Sequence, residues 1–326
     1  MKDRILELLR QESGYLSGQE MSTLLGVSRA AVWKAVEALR KEGYTIDSAP
    51  NRGYHLDAPT GRLSAREIAA RLDGHPWAEL VQVLILSTPP NNPAKPWPLR
   101  GAGRHWSLWP TARLEAAAGW VEASSPPGVG VYLSVILRPE APPEELMHLT
   151  CAVAEVLCDG IEVASGLRPG IKWTNDLVSG GRKLCGILTE LSLEAESGHV
   201  QYAVVGAGVN CDQTLSDFPP EIRDMAGSLS MLTGKAVSRN TLAAEMIRAL
   251  SRLDGDLVEN RQEWMDRYRR DCVTIGRAVS VSRAGETRWG QAVDVDDRGA
   301  LLVDFGQGPE AVQSGEVSVR GMYGYV

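Results

Sequence analysis

The sequence predicts a multidomain α/β chain: an N-terminal winged helix-turn-helix, a central α/β domain on a mixed sheet, and a small C-terminal β-barrel. Three observations carry that prediction. Helix caps and tight turns recur at helix-turn-helix spacing up to Lys41. Strand-like apolar runs interleave with helical periodicity between positions 81 and 210. Short alternating segments separated by Gly and Asp fill positions 276–320. The length of 326 residues exceeds one ordinary domain, and 44% hydrophobic with 23% charged residues is a globular composition. No apolar run approaches the ~18–20 residues that span a bilayer. MKDRILELLR mixes charge with leucine, so the start reads as a helix and not as a secretion signal. Five scattered cysteines (Cys151, Cys158, Cys185, Cys211, Cys272) form no CxxC, which predicts reduced thiols in a cytoplasmic protein with neither a disulfide framework nor a zinc site. The net charge of −7 argues against wholesale nucleic-acid coating and leaves room for a local basic face.

Residues 1–60 are the predicted winged helix-turn-helix. Ile5, Leu8 and Leu9 stand at helical spacing, and Gly14 ends the first helix. Ser17 caps a second helix through Leu25, and Glu20 three positions on completes a capping box. Gly26-Val27-Ser28 turns the chain, and Ser28 caps a third helix to about Lys41 that buries Ala31, Val32, Ala35 and Leu39. Gly43 to Leu56 alternates around a Gly53 turn, as a two-stranded wing does. In a DNA reader the third helix lies in the major groove. Ser28, Arg29, Trp33 and Lys34 are then the base and phosphate contacts, with Arg40, Lys41 and Arg52 near the DNA backbone. Eight Lys/Arg balance eight Asp/Glu over residues 1–60, so geometry and not charge carries this expectation.

Asp57 to Gly61 is a turn-rich linker, and the central domain is placed at 64–270. Val81–Leu86 reads as a strand ending at Ser87-Thr88, and Val131–Leu137 as another. Pro142-Pro143-Glu144-Glu145 opens a helix that buries Leu146, Leu149, Val153, Val156 and Leu157 and stops at Gly160. Strands follow at Ile171–Trp173, Leu184–Leu193 and Val200–Val209. Three polar clusters interrupt them: Lys172-Trp-Thr-Asn-Asp-Leu177, Gly181-Arg-Lys-Leu-Cys-Gly-Ile-Leu188 and Val205-Gly-Ala-Gly-Val-Asn210. Glycine within a strand marks a bulge or the close approach of a ligand.

In order and spacing, these clusters resemble the KWPND, GRKLAGIL and GAGxN signatures of the biotin protein ligases. Thr174 stands in place of the usual proline and Cys185 in place of alanine. With the helix-turn-helix, the chain is most similar to the bifunctional type that joins a biotin–[acetyl-CoA-carboxylase] ligase to a biotin operon repressor. Positions 272–326 resemble that family's SH3-like barrel. The resemblance implies that ATP, with Mg2+, converts biotin to biotinyl-5′-AMP, the intermediate and corepressor. The biotinyl group then passes to a lysine of the biotin carboxyl carrier domain of acetyl-CoA carboxylase. A carboxylate attacks a polyphosphate, so catalysis needs cations and N–H donors where charge develops. By resemblance, Lys183 is the principal cation, while Lys172, Asn175 and Asp176 shape the site. Ser87 and Thr88 bond the biotin head group, Gly186, Gly206 and Gly208 line the pocket, and Asn210 lies near the nucleotide. Operator DNA and a homodimer of the ligand-bound form are the further partners implied; a membrane is not. Two rival readings use part of the chain: a non-catalytic, biotin-sensing DNA-binding regulator, and a lipoate ligase.

One family feature is not recognisable. A Gly/Arg loop of the form QTxGRGRxGR belongs between the Ser-Thr strand and the next, yet residues 89–127 are aberrant and lack it. Nine Trp against two Phe is an odd ratio, and Trp97, Trp106, Trp109 and Trp120 all fall in this interval. A frameshift accounts for it. Codons chosen for Trp109 to Glu122, read from each third base, encode ADRQTGGRGRLGR. Tryptophan has a single codon, so Trp120 followed by Val121 forces Leu, Met or Val and then Gly in the shifted frame. The frame would leave near Pro96 and return near Ser125. The DNA sequence across Lys95–Ser125 tests this, and codons unable to encode the loop overturn it.

Overall fold

The computed structural model describes residues 1–11, 15–41, 44, 46–49, 52–56, 63–81, 106–109, 129–194, 198–283, 286–313 and 318–321. The chain divides into two compact units, Met1–Arg62 and Leu63–Val326. The predicted linker and the Val81–Leu86 strand, beyond Val81, lie outside the described residues.

The first unit contains α1 (Lys2–Gln11), α2 (Gly18–Leu25), α3 (Arg29–Lys41), β1 (Ile46–Ala49) and β2 (Gly53–Leu56). Its capping box is formed: the Glu20 amide donates to Ser17 Oγ at 3.1 Å and the Ser17 amide to Glu20 Oε2 at 2.9 Å. Gly26 is left-handed at φ 65°, which aims α3 away from α2. The Ser28 hydroxyl accepts from the Ala31 amide at 3.2 Å, so this serine serves as a helix cap. Ile5, Leu9, Met21, Val32, Val36 and Leu39 form the core, with Val36 an addition to the expected stripe. The wing docks on the α1–α2 connection through paired bonds between Leu16 and Tyr54, 2.8 and 2.9 Å. There Gly53 has φ +109°, and a Cβ would stand 2.2 Å from Leu16 O, so no side chain fits.

The second unit begins with α4 (Ala65–Arg71), β3 (Trp106–Trp109), β4 (Gly130–Leu137) and α5 (Leu149–Ser165). It continues through β5 (Gly170–Lys172), β6 (Asp176–Ser179), β7 (Arg182–Leu193) and β8 (Val200–Asn210). Then come α6 (Leu229–Thr233), α7 (Arg239–Ser251) and α8 (Arg261–Asp271). The six strands lie in the order β3-β4-β8-β7-β6-β5, with every ladder antiparallel. The parallel contribution to the expected mixed sheet is confined, among the described residues, to the bridges Ile171–Cys272 and Lys183–Ala226. Alternation turns Val131, Leu133, Val205, Ala207, Val209 and Ile187 toward the helical layer, where they are buried.

The helix after Pro142 differs from expectation at both ends. Pro143–Leu146 is a 3-10 turn, and α5 starts afresh at Leu149. It passes through Gly160 and stops at Gly166, which is left-handed at φ 76°. Gly160 serves a packing role instead: a Cβ there would lie 2.9 Å from Glu245 O on α7, so the glycine lets the two helices close.

Just past α5, Arg168 meets Glu155, Asp159 and Glu162 of that helix and Asp271 of α8 at 2.5–2.8 Å, tying α5 to the end of α8. Asp159 also pairs with Arg252 and Arg267, each at 2.6 Å. Partial burial pushes the Asp159 carboxyl up, but bonds from Arg168, Arg252 and Arg267 outweigh it and hold the group at about 2. The folded carboxyl thus ionises below the unfolded one. Its stabilisation is full above about pH 4 and is lost as pH falls through about 2. With screening at its exposed edge, Asp159→Asn should cost about 1–2 kcal/mol at pH 7 and far less near pH 2, read by urea unfolding at both pH values.

The chain ends in β9 (Ala278–Arg283), β10 (Glu286–Val295), β11 (Leu301–Asp304), β12 (Pro309–Val312) and β13 (Ser318–Gly321). These form one antiparallel sheet in the order β12-β11-β10-β9-β13. Closure into the expected barrel is not among the pairings of the described residues. All five cysteines are free and buried. Burial pushes the Cys185 and Cys211 thiols up to about 12. Among the described residues, no helix is long and apolar enough to cross a membrane.

Candidate functional site

The three polar clusters meet on one face of the central sheet, opposite the helices. Residues directly paired across strands point the same way. Lys172 pairs with Asp176, Asp176 with Gly186, Gly186 with Gly208 and Gly208 with Tyr132. One row therefore crosses five strands, β5 through β4, with two charges at one end and two glycines in the middle. The next row on this face is Leu188, Gly206 and Ser134. Asn210, two residues beyond Gly208, shares the face. The absence of side chains at 186, 206 and 208 opens a floor for a ligand beside charged groups.

Lys183 reaches this face through a bulge. Between β6 and β7 the register passes from Leu177–Cys185 to Val178–Lys183, leaving Leu184 as the extra residue. Residues 183 and 186 would point to opposite faces of a regular strand; the extra residue brings them to the same one. The Lys183 ammonium lies 2.5 Å from Asp176 Oδ1 and is partly exposed, at 37%. A Cβ built on Gly186 would sit 3.3 Å from Lys183 Cε and 3.4 Å from Nζ, so glycine leaves the lysine its space. Cys185 points away, pairs with Leu177 and Val209, and is buried in the helix-facing core. Its substitution for the usual alanine falls outside the charged face.

The backbone of Lys183 is clamped. Its amide donates to Met225 O at 2.7 Å, and its carbonyl accepts from the Gly227 amide at 3.0 Å. Asn210 Nδ2 donates to Gly227 O at 3.0 Å, and Asn210 Oδ1 accepts from Gln213 Nε2 at 3.1 Å. The Asn210 amide thus braces the segment that carries Lys183. Asn175 plays a similar part in its own turn: Nδ2 donates to Ile187 O at 2.7 Å while its carbonyl accepts from the Ile187 amide at 3.0 Å. Lys172 is buried, with 8% exposure. Ser87 and Thr88 lie outside the described residues. Sequence reasoning missed Gln213 and the Met225–Gly227 segment. The legible signal was Ser228, which follows Gly227 and caps α6 by accepting from the Met231 amide at 3.3 Å.

In the first unit, Arg29, Trp33 and Lys34 are exposed on α3, Trp33 at 54%. Arg52 in the wing turn stacks over the Tyr15 ring at 4.3 Å, and the Tyr15 hydroxyl donates to Asp47. Arg40 is engaged within the unit. Its Nε and Nη2 donate to Ile46 O at 3.0 and 2.6 Å, and Nη1 to Glu37 at 2.7 Å, so it staples α3 to the wing. The Lys41 side chain lies outside the described residues.

Three families match the chain. An HTH domain covers residues 2–55, the biotin/lipoate A/B protein ligase family covers 119–210, and the biotin protein ligase C terminal domain covers 274–320. The bifunctional ligase/repressor BirA of Bacillus subtilis (strain 168) is 31% identical over 340 aligned residues, spanning 98% of each chain. BirA of Escherichia coli (strain K12) is 28% identical over 98% of this chain and 99% of its own. Among solved structures, the biotin protein ligase from Aquifex aeolicus in complex with biotin and ATP shares the fold. Its TM-score is 0.52 at 23% identity, covering 67% of this chain and 89% of that one.

Proposed function

The chain belongs to the biotin protein ligase family, of the bifunctional ligase/repressor type, and from that premise we propose which residues do its work. It is a biotin–[acetyl-CoA-carboxylase] ligase that uses ATP and biotin, and a DNA-binding transcriptional repressor. A carboxyl carrier protein is its acceptor. The matched helix-turn-helix and biotin ligase C-terminal domain argue against a lipoate ligase.

The observation that carries the residue assignment is the charged, glycine-floored row on the open face of the sheet. Lys183 neutralises the charge that develops as the biotin carboxylate attacks the α-phosphate. Asp176 holds Lys183 in place in the absence of nucleotide, and Lys172 on the adjoining strand adds a second cation to the row. Gly186, Gly206 and Gly208 let the substrate approach the backbone, and Asn175 and Asn210 keep the turn and the Lys183 segment in register. Ser87 and Thr88 complete the biotin site. Mg2+ would be held chiefly by the nucleotide's own phosphates, whose charge it offsets; among the described residues no group of three or more His, Cys, Asp or Glu side chains could hold a metal ion. We place the catalytic part at 64–270 and the C-terminal module at 272–326, in a cytoplasmic protein. A carrier-biotinylation assay tests the assignment; retained biotin binding with no product would make the chain a biotin-sensing regulator instead.

For repression, Ser28 caps the recognition helix, Arg29 and Lys34 contact phosphates or bases, Trp33 meets a base edge and Arg52 anchors the wing. Lys34→Ala should weaken operator binding and lower the magnitude of the log K against log salt slope by about 1. An unchanged slope removes Lys34 from the interface. The ligand-bound protein forms a homodimer that matches paired half-sites; sedimentation with biotinyl-5′-AMP reads it.

A further inference from the structure

The turn that carries Lys172 and Asp176 is held in place by the C-terminal module. Its residues, Trp173 and Thr174, are bonded from three directions. The Trp173 amide donates to Thr274 Oγ1 at 2.9 Å, just past the end of α8. The Trp173 indole Nε1 donates to Gly299 O at 2.9 Å, at the tip of the β10–β11 hairpin. The Thr174 carbonyl accepts from the Tyr268 hydroxyl at 3.1 Å. Both Thr274 and Trp173 are buried, at 6% and 7% exposure, so these bonds are shielded from water.

The hairpin tip is itself built to reach the turn. Asp296 Oδ1 accepts from the Arg298 and Ala300 amides, each at 2.9 Å, which closes the tip. Arg269 on α8 donates to Val295 O at 2.6 Å and pairs with Asp297, gripping the hairpin's base. Gly299 has φ +85°, and a Cβ there would lie 2.9 Å from Cys151 Sγ. The tip is therefore pressed against the first turn of α5 with no room for a methyl group. On the other side, the Val273 amide donates to Ile171 O at 2.9 Å, continuing the grip along β5.

We propose that Gly299, Thr274 and Trp173 are positioning residues for the ligase reaction: the C-terminal β10–β11 tip sets the height of the Lys172–Asp176 turn against Lys183. The proposal rests on the site assignment above. Asp176 is bonded to Lys183 at 2.5 Å, so any drift of the turn moves the partner of the principal cation. Trp173 touches no reacting atom. Its indole acts through the backbone of the turn.

The test measures biotin-dependent pyrophosphate release from ATP, the adenylation step to which Lys183 is assigned. Trp173→Phe keeps an aromatic ring, though a smaller one, and removes one buried hydrogen bond. It should lower the kcat of adenylation about five- to tenfold, with KM for biotin within about twofold and Tm lowered by only a few degrees. Gly299→Ala should lower kcat further, because its methyl meets Cys151 Sγ and its Cβ strains a left-handed backbone at φ +85°. A Trp173→Phe protein with parental kcat, or with lowered Tm and unchanged kcat, overturns the proposal. Lys183→Ala, run in parallel, separates the two readings: parental adenylation in that variant overturns the site assignment itself, and this inference with it.

Discussion

A chain whose gene is re-read in the shifted frame between Pro96 and Ser125 should form biotinyl-adenylate at least ~10²–10³ times faster than the chain as written. The expectation follows from charge. Adenylation brings a carboxylate against a polyphosphate, and the described face offers two lysines, Lys172 and Lys183, against the carboxylate of Asp176. That is little positive charge for the nucleotide's phosphates, and the shifted frame supplies arginines and flexible glycine N–H groups together. Removing one preorganised donor of this kind costs ~10²–10³ in rate, and several are involved here. Biotin-dependent pyrophosphate release from ATP measures it. Equal rates for the two chains would show that the written interval already does the loop's work.

Lys183→Ala should reduce adenylation by ~10²–10³, and Lys183→Arg should recover little of it. The second half comes from the geometry. Lys183 sits at a bulge, within van der Waals reach of where any side chain on Gly186 would be, and already in contact with Asp176. A planar, forked guanidinium needs more width than this slot gives. Gly186→Ala is the companion experiment, because its methyl would press on Lys183 Cε and Nζ without altering any charge. A fall in rate with unchanged biotin affinity places the effect on the lysine; an Arg variant with parental activity would show that charge alone suffices.

Much of this protein was legible in one dimension. The Ser17–Glu20 capping box, the Gly26 turn and the Ser28 cap are local devices, and each appears in the fold where the spacing puts it. The three polar clusters likewise identify the central domain. Where reading failed, a distant partner decided the outcome. Gly160 looks like a helix stop, yet α7 packs against it and α5 runs on to Ser165. The 172–177 cluster looks like a strand end and a loop, yet β6 resumes at Asp176 because β7 is there to pair with it.

By itself, then, the sequence determined the modules and their order, since caps, turns and period-two alternation depend only on near neighbours. Tertiary structure alone decided which way those residues face. Lys183 and Cys185 look equivalent along β7, but one extra residue opposite β6 sends the lysine to the glycine floor and the cysteine to the core. The same holds for Trp173, whose indole is bonded by Gly299, 126 positions away. Register, bulges and such long-range bonds arise only when strands from separate parts of the chain meet, because a backbone group's partner is chosen by packing and not by its neighbours in sequence.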